Sequence, residues 1–331
     1  MFRPTGFGNP AIRCTLLLSI LLGQGCSYSL CRCPEAGGKA PSILRGKATR
    51  LTHPILDYDV STQRSELRPF RNKVDSLIQQ SISTGAVSRV SFYFRDLNNG
   101  LIVSINGDKT FVPASLLKVP LMMSYLKQAE SDPGLLSRTV RYDAPAPGPA
   151  PNTEPPESIA LGRTYTIDEL LRHMISYSDN RSSNFLMAMA DTRALHETFT
   201  ELGLEPPGAQ PEYALSVQDY ARFLRILFNA SYLNRAMSEK ALSYLTGCAY
   251  VDGLVAGLPA HTLIAHKFGN RFDLPGADKT QLHECGIVYY PGRPFLLCVM
   301  TQGRDFSRMQ RFLKGVSALV YDEVSRQDQR R

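Results

Sequence analysis

Hydrophobic and polar positions divide the chain into segments of different period. Leu67, Phe70, Val74, Leu77, Ile78 and Ile82 recur at helical spacing and predict one amphipathic helix. Val90, Phe92 and Phe94 then alternate with Ser91, Tyr93 and Arg95, as in a half-buried strand. Asn98-Asn99-Gly100 is a hairpin signal, after which Leu101, Val103 and Ile105 continue the alternation on a second strand. From Ser115 to about Tyr125 the apolar Leu116, Leu117, Val119, Leu121 and Met122 surround the helix they predict on nearly every side, so that helix belongs in the interior. The alternating prolines of 143–151 exclude helix and central strand and mark a long surface loop. Thr166-x-x-Glu169 has the form of a capping box, and Ile167, Leu170, Leu171, Met174 and Ile175 form the stripe of the helix behind it. Another helix starts near Arg181 with Phe185, Leu186 and Met189, and Ser216-x-x-Asp219 opens one carrying Tyr220, Phe223, Leu224 and Leu227. Strands return at 262–268, 285–290 and 295–301, and a final helix carries Met309, Phe312, Leu313, Val316, Leu319 and Val320. This order predicts an α/β protein of the α+β kind. Its antiparallel five-stranded sheet (64–112 and 255–331) is covered by the terminal helices, and an all-α part (113–254) is inserted.

The ends of the chain follow a different pattern. Arg3 and Arg13 precede an apolar run over 15–22 that is too short to span a bilayer, which reads as an export signal over residues 1–26. Gly25-Cys26 has the form of a lipoprotein processing site, although Gly23 and Gln24 depart from it; ordinary cleavage nearby or an uncleaved anchor are the alternatives. The expected location is the periplasm, either free or as a membrane-anchored lipoprotein. Residues 27–63 show no sustained period and read as a flexible tether that adds nothing to the fold. The formal charge of +7 is concentrated near the two ends, and no basic run is interleaved with aromatics, so nucleic-acid binding is not expected. A monomer is expected. The turn at Pro291-Gly292 sets Cys285 opposite Cys298 on neighbouring strands, within disulfide range, with two buried thiols preferred.

Within the apolar run after residue 110, Ser115 and Lys118 are the polar interruption. At i and i+3 they share a helix face. A buried lysine is driven toward its neutral form, and a neutral amine beside a serine can take its proton, which makes Ser115 a candidate nucleophile. A helix cap and a snorkelling lysine are the plainer reading of the pair alone. Two more short motifs follow in order: Ser178-Asp179-Asn180 between helices, and His266-Lys267-Phe268-Gly269 at the end of a strand.

Together these motifs resemble the Ser-x-x-Lys, Ser-Asp-Asn and Lys-Thr-Gly set of class A β-lactamases and penicillin-binding proteins, over about residues 65–325, with Asn184 and Thr301-Gln302-Gly303 in keeping. The resemblance implies an acyl-enzyme on Ser115, with Lys118 as base or proton relay and Ser178 passing a proton to the leaving nitrogen. It further implies that Asn180 binds the substrate amide, that Lys267 attracts its carboxylate, and that Ser115 and Asn270 supply the oxyanion-hole N–H groups beside Gly269. No metal or cofactor is implied. The substrate would be a β-lactam or a cell-wall peptide. His266 receives no role. Phe268 stands where the family carries a hydroxyl, which leaves carboxylate recognition open. The deacylating Glu-x-x-Leu-Asn is imitated only by Glu212-Tyr213-Ala214-Leu215-Ser216, in a short connection of 203–215, so Glu212 is the weakest member of the set and Glu205 weaker still. A D,D-peptidase needs no such glutamate, and a non-catalytic cell-wall module is a third reading that the pairing of Lys118 with Ser178 disfavours.

Overall fold

The computed structural model describes residues 43–45, 47–58, 67–150, 155–208, 212–274 and 276–329. The export segment, Cys26 and residues 27–42 of the expected tether lie outside them. Helix α1 (Arg68–Ser83) buries Phe70, Val74 and Ile78 and leads into β1 (Arg89–Asp96) and β2 (Ile102–Ile105). A 3-10 turn, Ala114–Leu117, opens α2 (Lys118–Ala129). The helical part continues through α3 (Ile167–Ser176), α4 (Asn180–Met189), α5 (Thr192–Thr200), α6 (Val217–Asn229) and α7 (Arg235–Thr246). Strands β3 (Ile264–Arg271), β4 (Thr280–Val288) and β5 (Phe295–Gly303) complete the sheet, and α8 (Phe306–Asp328) closes the described chain.

The sheet order is β2-β1-β5-β4-β3, and every pairing is antiparallel. Period-2 alternation splits its side chains between two cores. Phe92, Phe94, Leu297, Val299 and Val288 pack with the α1 and α8 residues Phe70, Val74, Phe312 and Val316. Tyr93, Cys285, Ile287, Cys298 and Met300 pack with Leu121, Met122, Leu171, Tyr220 and Phe223 of the helical part. Cys285 pairs directly with Cys298, and both are buried thiols. The capping box is formed: Thr166 N donates to Glu169 Oε2 at 2.7 Å, and Glu169 N donates to Thr166 Oγ1 at 3.1 Å.

Among the boundaries that differ from the sequence expectation two matter for the packing, and β3 also runs on to Arg271 rather than ending at 268. Strand β4 begins at Thr280 rather than near 285, because Thr280, Gln281, His283 and Glu284 are buried despite being polar. The tether expected over 27–63 is structured in its later part. Ile43–Arg45 pairs with Ile55–Tyr58, and the residues between them pack on the domain. Leu51 and Thr52 are buried. Both of their N–H groups donate to Glu239 Oε1, at 3.0 and 2.6 Å, while His53 N reaches Phe228 O at 2.8 Å and Tyr289 Oη reaches Leu51 O at 3.0 Å. The sequence carries little sign of this, because the segment is held mainly by backbone donors and one apolar anchor, which produce no period.

Burial of Leu51 alone contributes about 1.5–3 kcal/mol. A chain starting at residue 64 is therefore expected to melt several degrees below one starting at residue 27, and Glu239→Ala in the longer chain should move the midpoint the same way. Equal midpoints would show that residues 43–58 add nothing to stability.

Candidate active site

Ser115 lies in the 3-10 turn before α2, half-buried, with Lys118 as the first residue of the helix. Ala114, immediately before it, has φ +48°, a left-handed conformation unusual for a side chain with a Cβ. Pro120 falls in the first turn of α2, where its missing N–H disturbs little. Apolar neighbours bury the helix, and Lys118 is buried with it at 5% exposure.

Ser178 occupies the connection between α3 and α4 and is also left-handed, at φ +57°. Asp179 enforces this turn. As N-cap of α4 it accepts from Arg181 N and Ser182 N, from Ser182 Oγ at 2.6 Å and Ser158 Oγ at 2.7 Å, and from Ile159 N at 3.2 Å. Burial works to raise its carboxyl, but these five hydrogen bonds outweigh that and hold it below the usual carboxylate range.

The three motifs converge on one hydroxyl. Lys267, fully buried on the edge strand β3, donates from Nζ to Ser178 Oγ at 2.8 Å and to its neighbour's carbonyl, Phe268 O, at 2.9 Å. Lys118 Nζ donates to Ser178 O and to Asn180 Oδ1, both at 2.6 Å, and stands 3.4 Å from Ser178 Oγ. Desolvation, then the charge of Lys267, pushes Lys118 well below the ordinary lysine value, opposed by Asp179. Desolvation also lowers Lys267, to about 8, opposed by Cys248 and Glu284. Such an arrangement can hold one lysine neutral and the other charged, with a hydroxyl between them.

Gly269 joins the sheet to the Ser115 turn. A Cβ there would stand 2.7 Å from Pro113 O, 3.1 Å from Leu116 N and 3.2 Å from Ser115 N, so the strand backbone approaches the turn as only glycine allows. Asn270, next on β3, is buried. A residue that the sequence reading passed over supports the same turn: His283, fully buried on β4, faces Val112 O from Nε2 at 3.1 Å and accepts Thr301 N at Nδ1, at 3.2 Å. Burial lowers this imidazole to about 4 and keeps it neutral, with one nitrogen donating and the other accepting. Nothing in the sequence distinguished it from any other strand histidine.

Two residues depart from the arrangement around Lys118. The Phe268 ring lies 4.4 Å from Lys267 Nζ and stacks on Tyr250, with centroids 4.1 Å apart. Glu212 pairs with Arg271 at the end of β3, at 2.9 Å, with half of its side chain exposed. Among the described residues, the acceptors around Lys118 Nζ are the Ser178 and Asn180 oxygens, and none belongs to a carboxylate. The proline loop approaches from another side: Pro149 O accepts from Asn180 Nδ2 at 3.2 Å and Asn184 Nδ2 at 3.3 Å.

The β-lactamase enzyme family matches residues 69–324, and the chain belongs to that family. It is a serine hydrolase of β-lactamase type acting on amide bonds. A β-lactamase of Streptomyces fradiae is 25% identical over 236 residues, 65% of this chain and 74% of the relative. The fold is that of a β-lactamase from Chitinophaga pinensis, at 21% identity and TM-score 0.66, covering 77% of this chain and 99% of the other. It is equally that of PBP-A, at 21% identity and TM-score 0.64, covering 81% and 99%.

Gly269→Ala tests the seam between strand and turn. The substitution is expected to cost about 1–3 kcal/mol, seen as a lowered midpoint of thermal unfolding. An unchanged midpoint would mean that the two backbones are not in register at this point.

Proposed function

We propose that the chain opens a β-lactam or a related cell-wall amide by forming an acyl-enzyme on Ser115, and that it releases the acyl group slowly. In this reading neutral Lys118 takes the Ser115 proton as the oxygen attacks the amide carbonyl. The N–H groups of Ser115 and Asn270 receive the developing oxyanion. The carbon–nitrogen bond then breaks, and Ser178, hydrogen-bonded to Lys267, hands its proton to the departing nitrogen and regains one from Lys118, which returns to its neutral form. Asn180 holds the substrate amide. Charged Lys267 attracts the substrate carboxylate, without help from a hydroxyl at position 268.

The observation that carries the slow release is the set of acceptors around Lys118. Deacylation needs a base to activate water, and the better of the two candidates from the sequence, Glu212, is paired with Arg271. A site equipped for the first step alone accumulates its intermediate. The same observation favours a second reading, a peptidoglycan D,D-peptidase, which requires no such carboxylate; a mutant of PBP-A has been solved as an acyl-enzyme complex with penicillin G. The apolar run over 15–22 supports export to the compartment where such substrates occur.

Mixing the protein with penicillin G should add the mass of one antibiotic molecule, and Ser115→Ala should abolish the adduct. Release should fall well below the ~1–10³ s⁻¹ of ordinary turnover. Rapid multiple turnover would overturn slow release and return Glu212 to consideration, tested by Glu212→Gln. Failure to acylate with either penicillin or a D-Ala-D-Ala peptide would favour another amide substrate or a binding module.

The pH dependence follows from the two lysines. Lys118 acts when neutral, and its depressed value makes that form available at lower pH than for a free lysine. Lys267 acts when charged and loses its proton above about 8. The acylation rate should rise as Lys118 deprotonates and fall again on an alkaline limb near that value. A rate that continues to climb well past the limb would remove Lys267 from substrate recognition.

A further inference from the structure

Lys267 directs its hydrogen bonds into the protein. When protonated it has three N–H groups, of which one goes to Ser178 Oγ at 2.8 Å and another to Phe268 O at 2.9 Å. A ring face is a further neighbour of the nitrogen: the Phe268 centroid lies 4.4 Å from Nζ, inside the range of a cation–π contact. The lysine is fully buried. A carboxylate arriving here would find two donors in use, and at position 268 it would meet an aromatic ring in place of a hydroxyl.

The ring is held in place from behind. Phe268 stacks on Tyr250, with centroids 4.1 Å apart and planes 20° from parallel. Tyr250 is fitted in turn: a Cβ on Gly253 would fall 2.9 Å from Tyr250 Cε1, so glycine there leaves room for the tyrosine ring. Ala249 N, one residue before Tyr250, donates to Ser176 O at 2.8 Å, which ties this segment to the end of α3 and so to the approach to Ser178. The Tyr250 hydroxyl is buried, so the residue offers its ring and does not replace the missing hydroxyl. Phe268 and Tyr250 are both half-buried, and Val251, which follows in the chain, is 54% exposed. An aliphatic side chain would have filled the strand position as well, whereas a stacked pair fixes one orientation of Phe268 over the lysine.

We propose that Phe268, supported by Tyr250, sets the substrate class of this site. It covers the Lys267 ammonium and offers apolar contact, so amides whose group beside the departing nitrogen is uncharged and apolar are acylated on equal terms with those that carry a carboxylate there. The proposal rests on acylation of Ser115 as read above. Lys267 still attracts an anion by its charge. Charge acting past a ring, however, supplies no short charge-assisted hydrogen bond, and the discrimination between an anion and its neutral ester falls with it. The ring also answers the need of the lysine itself, because its face receives an ammonium that a substrate anion does not reach. A hydroxyl at 268 would reverse both effects, adding a donor for the carboxylate and uncovering the amine.

Penicillin G and its methyl ester differ in the carboxylate alone, and their rates of adduct formation with the full chain can be compared by intact mass. The two rates should agree within about threefold. In Phe268→Thr the acid should gain on the ester by ~10-fold or more, the effect of one hydrogen bond to a charged group. A wild type that already prefers the acid by that factor, or a ratio unmoved in folded Phe268→Thr, overturns the proposal. A second measurement needs no acylation: reductive methylation of lysines with formaldehyde, read by peptide mass spectrometry. In the wild type Lys267 should stay unmodified while Lys73 and Lys109, with side chains 51% and 62% exposed, react. In Phe268→Ala, shown to be folded by circular dichroism, Lys267 should react too. Wild-type Lys267 reacting as fast as those two, or an unreactive Lys267 in the alanine variant, sinks the idea whether or not the protein acylates. If neither penicillin probe forms an adduct, the failure is that of the preceding reading, and the labelling alone decides whether Phe268 covers Lys267.

Discussion

Two buried lysine side chains meet at one serine hydroxyl, and much of the fold serves to make that meeting tolerable. Like charges in a dry interior repel, and each loses its hydration. Acceptors from different elements answer this: the Ser178 carbonyl and the Asn180 amide for Lys118, and the Ser178 hydroxyl and the Phe268 carbonyl for Lys267. Asp179 holds the left-handed turn that presents both oxygens of Ser178. The helical part supplies the turn and the sheet edge supplies the second lysine, so the site exists only where the two cores adjoin.

Much of this was legible in the sequence because its signals were local. The capping box at Thr166, the alternation in β1 and the apolar ring of residues around α2 each fix an element from a few neighbouring side chains. The three motifs were legible through their order, and the structure brings them together. What escaped notice depended on distant partners. Thr280, Gln281, His283 and Glu284 resemble a polar loop until the strands and turns that satisfy them are in place. His266 looked like any strand histidine, since its partner Glu284 lies on a different strand. The segment 43–58 gave no period because Glu239 and Phe228, not its own residues, hold it.

Glu212 is the weakest member of the residue set read from the sequence, and its surroundings differ from those of Lys118. Its spacing imitates a water-activating loop, but Arg271 engages the carboxylate at the end of the edge strand. That ion pair ties Glu212 to the far end of the edge strand, and the carboxylate is absent from the acceptors around Lys118.

Gly269 has a wider consequence. Because the Ser115 turn rests on main chain rather than on a side chain, the position of Ser115 is set with the tolerance of a backbone contact and not by a choice of rotamer. Side chains on the same strand are then free to vary. Phe268 can take its place on the strand, stacked on Tyr250, without shifting Ser115. Backbone position and side-chain chemistry thus behave as independent modules written on adjacent residues, Gly269 and Phe268.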